Sequence, residues 1–444
     1  MSPPWNSFLD SSLLTGFTPV ALLIGGAVGG VCLVLRRNRR HLLLVVPATA
    51  AAAAGMTATI TYLIQNVGRP FPDSLGLAVP ALTATALLGV LLATARLWSG
   101  PRHLRHVLAT TIAATVVVAA AANQVNISFA AYPTVRDVLN IHRDNEIRWD
   151  TARSFTHRIL HQDPLLGSWR ATTPAPSAGR ITTTRVPPTR SGFPARDAIV
   201  YLPPAYFSDP CPLLPVLILL PGQPGSPEDW FTGGRLAQTM DDYAARHQGL
   251  SPVVVVADGT GGEFADPLCV DSKRGRAATY LGEDVPAWVR ANLQIDPDPR
   301  AWAVGGLSYG GTCALQLATY YPGTYPTFLD FSGDSEPSLG DRRRTVAEVF
   351  GGNTAAFTGV NPVDLMARRK YPDTAGVLVA GTRDSAAQTA ARTVSAAARA
   401  ADMTVRSVEL PGGHDYRLWR AALAQELDWL SWRLGLAETD HAEG

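Results

Sequence analysis

Charge of a single sign is what this chain most conspicuously lacks. Its 38 Lys+Arg and 37 Asp+Glu leave a net charge of +1, so no global field recruits nucleic acid. Cysteine is scarce, with four in 444 residues. There is no H-E-x-x-H, no run of clustered Cys and His, and no glycine loop of the phosphate-cradling kind, so no metal or nucleotide cofactor is expected. The first 125 residues are almost free of acids and rich in Ala, Leu, Val, Thr and Gly. That lack excludes a soluble helical core, whose helices would need charged outer faces.

What fills that region is four long apolar runs, approximately Phe17–Leu35, Leu42–Ile64, Leu75–Leu97 and Val107–Val125, with no charge in the middle of any of them. A bilayer core takes about 20 apolar residues in a helix, and each run reaches that length. Four runs also exclude a lone signal peptide. Arg36, Arg37, Arg39 and Arg40 separate the first two, and Arg96, Arg102 and Arg105 the last two, whereas the middle loop has only Arg69, set against Asp73. Positive-inside reasoning puts the arginine-rich loops in the cytoplasm, and everything after the fourth run outside it. The expected organisation is a four-span anchor (1–125), an extracytoplasmic connector (126–177), a soluble domain (178–435) and an acidic tail (436–444). Within the connector, Leu139–Leu166 reads as one or two amphipathic helices and Thr172–Ser177 as linker. The sequon Asn126-Ile127-Ser128 sits at the membrane boundary and is given no weight.

From about Gly179 the pattern alternates. Strands are expected at Arg180–Val186, Asp197–Leu202, Leu214–Leu220, Val253–Ala257, around Trp302, and at Thr327–Phe331, Gly376–Ala380 and Thr404–Leu410. Helices are expected near Leu236–Ala245, Ala277–Leu293, after Ser308, and at Ser385–Ala401 and Tyr416–Leu434. Strands alternating with helices imply an α/β fold, a mostly parallel sheet with helices on both faces, whose functional groups gather at the strands' carboxyl ends.

One segment on that edge carries chemistry. Gly306-Leu307-Ser308-Tyr309-Gly310 is a G-x-S-x-G pattern between an apolar strand and a helix, the context in which the serine is a nucleophile. A bare glycine-rich turn is the alternative, so a base and an acid have to be found. Of nine histidines, His41, His103 and His106 fall at the cytoplasmic membrane edge, and His142, His157 and His161 in the connector. His247 ends a helix and His441 is in the tail. That leaves His414, on a glycine loop directly after the last strand, as the base. The acid in the order Ser…Asp/Glu…His is Asp384, with Asp334 as runner-up; Asp415 starts the final helix. The oxyanion donors are the N–H of Tyr309 and an N–H from Leu220-Pro221-Gly222-Gln223-Pro224-Gly225. The prolines have none to give, which leaves Gly222 or Gln223, with Gln223 preferred. Among the cysteines, Cys269 and Cys313 fall at the same sheet edge and form the most plausible disulfide. Cys211 lies at the opposite edge and Cys32 in the first span.

These motifs, with Gly412-Gly413-His414-Asp415 and the segments Cys269–Ser272 and Thr279–Leu281, resemble the putative-esterase branch of the α/β-hydrolases. That branch includes esterase D, the enterochelin esterases and the mycobacterial mycolyltransferases. The resemblance covers about residues 180–435, implies the α/β-hydrolase fold, and carries the nucleophile, acid and base roles to Ser308, Asp384 and His414. The mycolyltransferases have Met where this chain has Tyr309. The expected function is a membrane-anchored, extracytoplasmic serine esterase acting on a small-molecule or lipid ester. The alternatives are an acyltransferase serving a cell-envelope hydroxyl and a non-catalytic binding module.

Overall fold

The computed structural model describes residues 4–35, 39–68, 76–101, 103–141, 145–153, 159–160, 165, 169–170 and 176–437. Arg36, Arg37, Arg69, Asp73, Arg102, His142, His157, His161, His441 and most of the 172–177 linker lie outside them. The chain divides into two compact units, Met1–Ile141 and His142–Gly444.

The first unit holds four helices long and apolar enough to cross a membrane: α1 (Phe17–Val34), α2 (Val46–Tyr62, prolonged by π turns at both ends), α3 (Ala78–Ser99) and α4 (Leu104–Phe129). The π turn His41–Val45 stands just before Pro47. Proline has no N–H and crowds the carbonyl four residues back, and a widened turn relieves both. Small residues let α1 and α4 approach: a β-carbon on Gly26 would stand 2.5 Å from Ala120 Cβ, and one on Gly29 would stand 2.7 Å from the Ala113 oxygen. Arg96 Nη1 donates to the Cys32 carbonyl at 2.7 Å and the Leu35 carbonyl at 3.2 Å, covering the end of α1. α4 continues four residues past the expected Val125 boundary. The Asn126 side chain binds the Tyr132 N–H and carbonyl, both at 2.8 Å, and so closes the turn after the helix.

The second unit is built on an eight-stranded sheet. Its strands are β1 (Arg180–Thr184), β2 (Ala198–Leu202), β3 (Val216–Leu220), β4 (Val253–Val256), β5 (Trp302–Leu307), β6 (Thr327–Phe331), β7 (Ala375–Gly381) and β8 (Thr404–Leu410). They lie side by side in the order β1-β2-β4-β3-β5-β6-β7-β8. β2 runs antiparallel to β1 and β4, and every other pair is parallel. Every residue of β2 through β7 is buried, as expected when helices cover both faces. Helices α5 (Leu236–Arg246), α6 (Val285–Asn292), α7 (Tyr309–Tyr320), α8 (Arg342–Phe350), α9 (Ser385–Ala400) and α10 (Tyr416–Arg433) complete the layers. The expected helix Ala277–Leu293 is divided by a π turn at Tyr280–Asp284, again just before a proline, Pro286.

The 139–166 stretch differs from the expected amphipathic helices. Among its described residues are one helical turn, Trp149–Arg153, and a two-residue strand, Ile159–Leu160, paired with Cys211–Pro212. α8 carries no expectation from the sequence. Its three arginines hide a short amphipathic pattern (Thr345, Val346 and Val349 buried) that begins where the Asp341 carboxylate accepts the Arg344 N–H.

β3 turns toward β4 on one side, while β5 turns toward β6 on the other. This is the point in an open sheet where a crevice forms at the carboxyl ends.

Candidate active site

Ser308 sits in that crevice, between β5 and α7, with φ 53° and ψ −119°. A residue with a β-carbon in this region is strained by about 1–3 kcal/mol, and the surrounding turn must hold it there. It does so with the Ser308 N–H on the Phe331 carbonyl (2.8 Å) and the Ser308 carbonyl accepting from Gly311 and Thr312 (2.9 and 3.1 Å). The flanking glycines admit no substitute. A β-carbon on Gly306 would lie 2.3 Å from the Gly310 carbonyl carbon, and one on Gly310 would lie 2.3 Å from the Leu220 oxygen.

His414 reaches Ser308 from the turn after β8, with Nε2 2.9 Å from Ser308 Oγ. Its Nδ1 is 2.7 Å from Asp384 Oδ2. A carboxylate only accepts, so the ring proton belongs on Nδ1, and Nε2 is left to take the serine proton. Asp384 closes β7 and opens α9, where its Oδ1 also accepts the Ala387 N–H at 3.1 Å. Burial pushes this carboxyl up. The hydrogen bond from His414, the Ala387 N–H and the charge of His414 together outweigh that and hold it below the usual carboxylate range. Asp384 thus both starts α9 and partners His414, one role on each oxygen. Asp334 is exposed, with its N–H on Thr312 Oγ1 (2.8 Å), and it is Asp384 that the structure brings to His414. Asp415 caps α10 through the N–H groups of Arg417 and Leu418.

Tyr309 is the first residue of α7, so its N–H is among those with no acceptor inside the helix. The loop after β3 passes beside it: a β-carbon on Gly222 would stand 3.7 Å from Ser308 Cβ, and Gln223 follows. The Tyr309 amide thus follows the serine directly, and the loop that carries Gln223 passes beside it.

Several further side chains frame this crevice. Arg196 donates to both oxygens of the buried Asp258 (3.0 and 2.9 Å), to the Gly225 carbonyl (2.8 Å) and to Thr260 Oγ1 (2.9 Å). It thereby pins the Gln223 loop to the segment after β4. The Tyr309 hydroxyl accepts the Cys269 N–H (2.8 Å) and donates to the Gly259 carbonyl (3.1 Å), and burial holds this phenol well above its ordinary range. Cys269 and Cys313 are disulfide-bonded, with Cα atoms 5.5 Å apart. Cys211 is a buried thiol, pushed up to about 12 by burial. Trp419 sets its ring edge-on to His414, 5.1 Å between centroids, with its indole N–H 3.3 Å from Ser332 Oγ. Asp330, buried in β6 under the start of α7, accepts the Gly333 N–H at 2.8 Å. Spacing could have pointed to Trp419, which faces the histidine from the first turn of α10. Nothing in the sequence distinguishes Arg196 or Asp330 from ordinary surface and strand residues.

The sequence profile of the family described as "Putative esterase" matches residues 195–430. An uncharacterized protein of Corynebacterium glutamicum is 37% identical over 397 residues, covering 86% of this chain and 88% of its own. A diacylglycerol acyltransferase/mycolyltransferase of Mycobacterium leprae is 35% identical over 99 residues, 21% of this chain and 29% of that protein. Among solved structures, a ferulic acid esterase superposes with a TM-score of 0.50 at 18% identity, over 58% of this chain and 99% of its own, a likeness of fold.

Proposed function

Because this chain belongs to the putative-esterase family, we propose that it is a serine esterase, held to the membrane by its four apolar helices, that cleaves carboxylic esters outside the cytoplasm through an acyl-serine intermediate. The observation that carries this reading is the unbroken hydrogen-bonded row Asp384–His414–Ser308.

In the proposed reaction Ser308 Oγ attacks the ester carbonyl as its proton moves to His414 Nε2. Asp384 keeps the Nδ1 proton in place and stabilises the imidazolium. The carbonyl oxygen, now an alkoxide, takes hydrogen bonds from the Tyr309 and Gln223 amides, each typically worth about 10²–10³ in rate. His414 returns the proton to the leaving alcohol oxygen as the C–O bond breaks. Water, giving a proton to Nε2, then attacks the acyl-serine, and His414 returns that proton to Ser308 Oγ as the Oγ–acyl bond breaks and the acid leaves. The matched segment of the Mycobacterium leprae acyltransferase favours a second reading, in which another hydroxyl replaces water in the last step.

Labelling with a fluorophosphonate probe tests the first step. Wild type should label and Ser308→Ala should not; an unlabelled wild type, beside a known serine esterase that labels, would remove the reading. Product analysis with water and a sugar acceptor present together separates hydrolysis from transfer. The location is tested by a C-terminal reporter enzyme that is active only outside the cytoplasm; an inactive but stable fusion reverses the topology.

A further inference from the structure

Residues 259–269 form an arm between the two elements proposed to supply the oxyanion donors. On one side the arm is fastened to α7 by Tyr309 Oη, the Cys313 disulfide and Gln316 Nε2, which donates to the Leu268 carbonyl at 3.0 Å. Positions 309, 313 and 316 share one face of a helix. On the other side it is fastened to the Gln223 loop. Gly225 N–H donates to the Glu263 carbonyl (3.1 Å), Gln223 Nε2 to the Phe264 carbonyl (3.3 Å), and Arg196 holds Gly225 and Thr260 together. At the tip of this doubly tethered arm, Phe264 turns its ring outward, 60% exposed. Among the described residues of the second unit, only Tyr320 and Trp432 are comparable exposed apolar side chains, at 45% and 39%. An isolated exposed phenylalanine on a mobile loop would need no explanation. This one is held by its own carbonyl to the side chain of Gln223, in the loop that passes beside Ser308.

We propose that Phe264 is a specificity-determining residue that receives the apolar carbon chain flanking the ester carbonyl. The inference rests on the reading of Ser308 as the nucleophile. A flat apolar ring, exposed to water on an arm tied to both elements proposed to supply the oxyanion donors, gains by covering a chain of several methylenes and gains nothing from an acetyl or methyl group.

The test is a pair of ester series on the full-length protein in detergent, one lengthening the acyl chain from acetate to octanoate and the other lengthening the alcohol of acetate esters. Phe264→Ala should lower kcat/KM about tenfold at the long end of one series, through KM, and leave the short esters unchanged. Phe264→Leu should recover most of the loss, and the series that responds identifies which chain lies on the ring. Labelling by a short-chain fluorophosphonate should be equal in wild type and both variants. Equal labelling with a loss that is uniform along both series, or with no loss, overturns the assignment of Phe264 and leaves Ser308 standing. A loss seen only with vesicle-bound ester and not with dispersed ester also overturns it, because the ring then contacts bilayer rather than substrate. Failure of wild type to label or turn over any ester removes the nucleophile reading and this inference together.

Discussion

Asp330 offers a stability measurement whose size follows from burial. Its carboxyl lies in β6 beneath the start of α7, where it accepts the Gly333 N–H. Burial pushes it from 3.8 up to about 7, the nearby Asp334 charge adds to this, and the Gly333 N–H opposes it. Below pH 3.8 the group is protonated in both folded and unfolded chains and has no effect on their balance. Between 3.8 and about 7 the unfolded chain ionises while the folded one holds its proton, so folding loses stability as pH rises; above about 7 the loss is complete. At about 1.4 kcal/mol for each tenfold difference in proton affinity, the full loss approaches about 4 kcal/mol. Asp330→Asn keeps an oxygen for Gly333 and removes the ionisation. It should therefore raise the thermal midpoint of the second unit by about 5–10 °C at pH 8, since about 1 kcal/mol moves a domain of this size by a few degrees. Near pH 4 the gain should nearly vanish. The assay is tryptophan fluorescence of the full-length protein in detergent, heated at pH values from 4 to 8.5. A variant no more stable than wild type at pH 8, or one whose gain is the same at both ends of the range, would refute the reasoning.

Four further outcomes are expected. Asp384→Asn should fold, because asparagine caps a helix as well as aspartate, but should lose about 10³–10⁴ in kcat through the wrong imidazole tautomer, which ester turnover reads directly. Gly310→Ala should abolish soluble expression or cost more than about 3 kcal/mol, because its β-carbon meets the Leu220 carbonyl; Gly323→Ala, with nothing within 4 Å, should be nearly neutral in the same melting assay. Opening the Cys269–Cys313 bridge, which spans 44 residues, should lower stability by about 4 kcal/mol on loop entropy alone, seen as a drop in melting temperature with reductant that Cys313→Ala reproduces without it. Tyr309→Phe keeps the backbone amide but leaves the Cys269 N–H and the Gly259 carbonyl unpaired, and should lower kcat several-fold with little change in KM for an acetate ester.

What was legible in the sequence is what periodicity and turn chemistry encode. The continuous apolar runs at 214–220 and 253–257 read as buried parallel strands, and β3 and β4 are that. Ser308 was readable because the turn needs glycine at 306 and 310, and His414 because elimination left one histidine at a strand's carboxyl end. The choice of Asp384 over Asp334 rested on strand order, which hydrogen bonding in the sheet now supplies directly: β7 and β8 are neighbours, and their loops meet. Long-range polar ties were not legible. Arg196 and Asp258 are 62 residues apart, and no local pattern announces that they will share a proton-rich contact under the Gln223 loop. The short strand in the connector is defined by its partner at Cys211, which the connector's own composition does not encode.

The arm of residues 259–269 separates two kinds of constraint. Its ends are bound by a phenol, a disulfide and a guanidinium to the elements proposed to supply the oxyanion donors, so changes there should be felt at the serine. Its tip, Gly262-Glu263-Phe264-Ala265, is held through backbone carbonyls at Glu263 and Phe264, leaving the side chains there without a part in the fastening. Such a tip can change its side chains while the chemistry below stays fixed. Exchanging these four residues among members of the family is then a route to altering which esters are accepted without rebuilding the site.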